Sequence, residues 1–112
     1  MAMARALCEG EIVRIVANSE GEKQKIKNKL SNLKNIEIYV FPTNEYWMRD
    51  NGPIFVYNYE NELCIGWFKF TGWGDKMPYK FDCQVPRLIA QEVLKVPLID
   101  LTETMNVEGG SV

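Results

Sequence analysis

The chain has 112 residues, 46% of them hydrophobic and 25% charged, with a formal net charge of −2. That length fits one domain, whose folding would bury about two-thirds of the chain surface, and the missing basic field argues against a dedicated nucleic-acid partner. Three Cys and no His leave neither a disulfide framework nor the commonest general base, zinc ligand or catalytic dyad partner. No apolar run approaches the roughly 20 residues of a membrane span, and the N-terminus lacks an apolar signal core, so a cytoplasmic chain without a membrane partner is expected.

The first expected element is a strand from Glu11 to Ala17, where Ile12, Val13, Ile15 and Val16 make the near-continuous apolar run of a strand buried on both faces. Ser19 stands three residues before Glu22, the spacing of a capping box, and predicts a helix running to Leu33. Ile26, Leu30 and Leu33 form its single apolar stripe, while Lys23, Lys25, Lys27 and Lys29 read as a solvated surface. Asn35 ends this helix, and Ile36 to Phe41 is rich in the β-branched and aromatic residues of a strand. Strand, helix and strand in so short a span predict a parallel βαβ unit.

Pro42 to Pro53 is an irregular connection. Ile54 to Tyr57 and Leu63 to Phe70 predict a hairpin around Asn58 to Asn61, followed by a loop at Thr71 to Lys76. Asp82 is the expected N-cap of a second helix, with Pro86 in its first turn and Val85, Leu88, Ile89 and Leu94 facing inward. A last strand pair is expected at Pro97 to Asp100 and Asn106 to Glu108. The pattern running on to Val112 suggests a truncated chain, or one completed by another copy or another polypeptide.

Three segments carry chemistry. Trp47-Met-Arg-Asp-Asn-Gly-Pro53 places an indole, an Arg and a carboxylate in a loop closed by Gly-Pro, a composition suited to holding a ligand. The Asp50 carboxylate would accept a planar guanidinium or amidinium in bidentate fashion, and the Trp47 face would cover its π-surface. The structural alternative is an internal ion pair of Arg49 with Trp47 as core filler. Glu108-Gly-Gly-Ser111 is the second segment, where two glycines permit close backbone approach or positive φ beside a carboxylate. In the third, Phe70-Thr-Gly-Trp-Gly-Asp-Lys76, the aromatics could stack bases, but without interleaved Lys or Arg they read as a buried hairpin face with a Trp anchor.

The order of these motifs, Trp47 to Val56, then Phe70 to Lys76 with Asp82, then Val107 to Val112, resembles the N-terminal part of an agmatine deiminase. That family sits in the wider guanidine-modifying group that includes bacterial-type peptidylarginine deiminases. The resemblance covers essentially the whole chain and implies an α/β fold, a partial pentein of about two ββαβ-type blades of five, with residues 1–112 as one partial domain. It further implies hydrolysis of agmatine to N-carbamoylputrescine and ammonia, a step of putrescine biosynthesis, with no cofactor and no metal. Asp50 would bind the substrate guanidinium and act with Glu108 as a catalytic carboxylate, and Trp47 would line the pocket. The same chemistry stands on the residues: fixed carboxylates stabilise a guanidinium and the cationic tetrahedral centre formed by attack on its carbon.

The family's nucleophilic Cys and its Gly-His-x-Asp base match no residue of this chain, and Cys8, Cys64 and Cys83 occupy other positions. The chain alone is therefore expected to be inactive. The expected partner is a small guanidine, together with self-association or a complementing C-terminal segment. The alternative is a non-catalytic fragment or partner-binding module, such as a split subunit or a degraded gene product.

Overall fold

The computed structural model describes residues 1–112, which form two compact units, Met1–Pro42 and Thr43–Val112. The fold is mixed α/β.

The first unit contains α1 (Ala2–Leu7), β1 (Val13–Ala17), α2 (Glu20–Lys29) and β2 (Ile36–Val40). β1 and β2 pair in parallel from Val13 opposite Ile36 to Ala17 opposite Val40, as the βαβ pattern predicts. Ser19 Oγ accepts the Glu22 N–H at 3.2 Å, so the expected cap forms. Its reciprocal arm closes one residue earlier, with the Glu22 carboxylate accepting the Asn18 N–H at 2.8 Å. α2 stops at Lys29 rather than Leu33, and Leu30 is buried beyond its end. Asn35 does not end the helix; at φ 59° it turns the chain into β2, with its side-chain amide donating to the Cys8 carbonyl at 3.0 Å. β1 is not buried on both faces: only Ala17 is fully buried, and Ile12 lies outside the strand at 50% exposure. A two-stranded sheet with α2 against it offers cover to one face only.

The second unit contains α3 (Met48–Asn51), β3 (Ile54–Tyr57), β4 (Leu63–Lys69), a helix over 82–94 and β5 (Leu98–Asn106). The strand order is β3-β4-β5, an open sheet. β3 and β4 form the expected antiparallel hairpin, with Asn58 Oδ1 accepting the N–H groups of Glu60 and Glu62, each at 2.9 Å. Cys64, Ile65 and Phe70 of this hairpin and Val85 and Ala90 of the helix are buried, and the turn 85–88 packs on β4.

β5 corrects the expected strand pair. It is one nine-residue strand parallel to β4, whose register jumps from Phe68 opposite Leu101 to Lys69 opposite Asn106. The Asp100 carboxylate takes the Thr102 N–H at 3.0 Å and its hydroxyl at 2.7 Å, local bonds that compete with the ladder where the strand bulges. The expected loop at 71–76 contains a left-handed turn through Trp73, Gly74 and Asp75, with φ of 59°, 77° and 61°. Trp73 stands edge-on to Phe70 at 5.3 Å, and Trp67 Nε1 donates to the Cys83 carbonyl at 2.7 Å. These rings pack the unit, in keeping with the structural reading of that segment.

Asp82 is also reassigned. It begins a 3-10 turn, Asp82–Gln84, ahead of the α-helical turn Val85–Leu88 and the wider π turns of Ile89–Leu94. Its carboxylate does not cap this helix. Fully buried, it accepts the backbone N–H groups of Asn44 at 2.6 Å and Glu45 at 3.1 Å.

Candidate functional site

The segment leading to Trp47 is held by a two-way clasp. Asp82 receives the N–H groups of Asn44 and Glu45, and Asn44 Oδ1 in return accepts the Phe81 N–H at 2.8 Å. This anchors the chain directly before α3, where the amides of Asp50 and Asn51 donate to the Trp47 carbonyl at 2.9 and 3.1 Å. Asp50 is thereby fixed at its backbone, and its side chain is fixed from elsewhere.

That second contact comes from the Gly-Gly segment. The Gly110 N–H donates to Asp50 Oδ1 at 2.9 Å. A Cβ at Gly110 would collide with that same carboxylate oxygen, and a Cβ at Gly109 would collide with the Arg49 carbonyl. Neither glycine has positive φ, so their role is close approach of one backbone to another. Glu108, half-buried, opens the turn Gly109–Ser111, and its carbonyl accepts the Ser111 N–H at 2.8 Å and the Ser111 hydroxyl at 2.7 Å. Asp50 and the Glu108 turn are thus brought together across the sequence.

The structure arranges the other residues as follows. Trp47 is 49% exposed and stacks on Tyr46 with ring centroids 4.8 Å apart, so it does not fill the core. Arg49 Nη2 points to the Val112 carbonyl at 3.5 Å rather than pairing with Asp50. Asp50 lines a narrow cleft with Asn51, Gly66, Phe68, Cys83 and Val107, and Trp47 lies outside that lining. One oxygen of the Asp50 carboxylate is thus held by a backbone N–H of the turn that follows Glu108, while the Trp47 indole is exposed.

The Porphyromonas-type peptidyl-arginine deiminase family model matches residues 1–112. The chain belongs to that family. The agmatine deiminase of Pseudomonas syringae pv. tomato is 31% identical over 118 aligned positions, covering 100% of this chain and 31% of that protein. Among solved structures, a C. jejuni agmatine deiminase with substrate bound matches at TM-score 0.85 and 25% identity, over 98% of this chain and 31% of its own. The agmatine deiminase of Enterococcus faecalis matches at TM-score 0.85 and 27% identity, over 98% of this chain and 30% of its own. The chain thus spans under a third of the length of these relatives.

Two residues of this family member have roles that its sequence does not announce. Asp82 reads as an ordinary helix cap, and only the N–H groups of Asn44 and Glu45 reveal it as a clasp. Asn51 sits inside the Trp47 motif as an unremarked polar residue, yet it is 2% exposed and neither side-chain polar atom meets a protein partner.

Proposed function

We propose that the chain is the N-terminal segment of an agmatine deiminase-like hydrolase and supplies its guanidinium-binding carboxylates. Asp50 takes the guanidinium, Trp47 covers its face, and Glu108 stands as the second catalytic carboxylate. The observation that carries this reading is the 2.9 Å bond from Gly110 N–H to Asp50 Oδ1, which joins the Glu108 turn to the Asp50 loop. One carboxylate oxygen is held in place by the backbone, leaving the group oriented before substrate arrives, which is the condition for electrostatic stabilisation of a cationic centre.

In this reading the reaction adds water across the guanidinium carbon of agmatine and releases ammonia, leaving N-carbamoylputrescine, in the cytoplasm and in service of putrescine synthesis. The thiol nucleophile and the imidazole base come from a complementing C-terminal segment or a second polypeptide. The two units correspond to about two of five pentein blades. Their open sheet edges, β3 with exposed Phe55 and Tyr57 and β5 with its bulge, suit completion by further strands or by self-association.

The test is agmatine titrated into the isotope-labelled chain. Saturable shifts at Gly110 and Trp47, absent in Asp50→Ala, are expected. A Gly110 signal indifferent to agmatine would overturn the reading.

A further inference from the structure

We infer that Asn51 holds a single water molecule in the Asp50 cleft and, through it, positions the Asp50 carboxylate. Asn51 is 2% exposed, and both its side-chain N and O atoms lack a hydrogen-bond partner within the protein. An amide carries two donors and an acceptor, and such groups, once buried, are nearly always paired with protein or with ordered water. Around it the cleft presents mostly apolar surface, including Phe68, Phe70, Pro86 and Val107. Asp50 is the lining side chain with strong acceptors, adjacent in sequence and carried on the same helical turn.

Size decides what the cleft holds. The room it leaves for water is about 10 Å³, at the threshold for one molecule. A water there accepts from the Asn51 amide N–H and donates to the Asp50 carboxylate, which also receives the Gly110 N–H. The carboxylate is then pinned from two sides, so Asn51 acts as a positioning residue for the guanidinium site proposed above.

The test reads two signals on the labelled chain without agmatine. Magnetisation transfer from water to the Asn51 side-chain NH2 reports a long-lived bound water. Exchange of the Gly110 amide reports how firmly Asp50 is held. A bound-water signal is expected in the wild type. Asn51→Leu, which is similar in volume and carries no polar atom, should speed Gly110 exchange about tenfold, with Ile65 exchange unchanged. Asn51→Ser, which keeps a donor and an acceptor, should hold Gly110 exchange within about twofold of wild type. Absence of the bound-water signal overturns the inference, as does Gly110 exchange that ignores Asn51→Leu. If the leucine variant does not fold, Asn51→Ala is read the same way. Failure of agmatine to bind would count against the guanidinium reading alone, since neither signal involves agmatine.

Discussion

The backbone N–H of Gly110 donates to Oδ1 of Asp50 at 2.9 Å across 60 positions of sequence. This approach requires glycine at both 109 and 110, because side chains there would meet the Arg49 carbonyl and the Asp50 carboxylate. Gly109→Ala should destabilise the chain by about 1–3 kcal/mol, since its obstacle is backbone that cannot rotate away. Gly10→Ala is the matched control: nothing lies within 4 Å of its Cβ position, and its φ is not positive. Urea unfolding of both variants checks this, and equal midpoints would remove the close-approach argument.

The Asp82 clasp predicts a second effect. Asp82→Ala leaves the N–H groups of Asn44 and Glu45 without their buried acceptor. A loss of about 2 kcal/mol is expected, with the 43–47 segment loosened ahead of the core. Asp82→Asn should rescue little, because one carboxylate oxygen becomes a donor facing donors. Limited proteolysis at 43–47, faster in both variants than in wild type, is the measurement. Unchanged cleavage would mean that other contacts hold this segment.

Much of the fold was legible because its signals are local. The Ser19 cap, the β-branched and aromatic run of β2 and the Asn58 turn each act within a few residues, and each forms where the sequence places it. The rest depends on distant partners. Asp82 could not be read correctly from its neighbours, because its carboxylate belongs to an amide 38 positions away. The β5 bulge shows only in the register against β4, although Asp100 and Thr102 supply local bonds that compete with that ladder. For the site, Gly109-Gly110 signalled a close approach but not its target, and Asn51 gave no signal, since an unpaired amide is a property of burial.

Asp100 carries a pH prediction. The N–H and hydroxyl of Thr102 bond its carboxylate and hold its pKa below the ordinary aspartate range. Its folded-state pKa is depressed, so its contribution to stability is present above the unfolded value of about 3.9 and is lost as pH falls through the folded value. Thr102→Val removes one bond and should raise the Asp100 midpoint, as followed by carboxyl carbon shifts. An identical midpoint in the variant would show that the Thr102 hydroxyl does not contribute to the depression.

The last prediction is that the 112-residue chain alone does not turn over agmatine. Deimination needs a nucleophile at the guanidinium carbon and a group to move protons to the departing ammonia. There is no His in the chain to serve as base. Cys8 and Cys64 are buried. Cys83 lines the Asp50 cleft, where its thiol donates to the Lys80 carbonyl at 3.3 Å and no imidazole is present to take its proton. In the proposed reading the carboxylates bind and polarise the cation without attacking it. Ammonia release from agmatine should therefore match the no-protein blank for wild type, Cys83→Ser and Asp50→Ala alike. Release by wild type that Cys83→Ser abolishes would identify a nucleophile within this chain, and would overturn the division of labour in which this segment binds and another attacks.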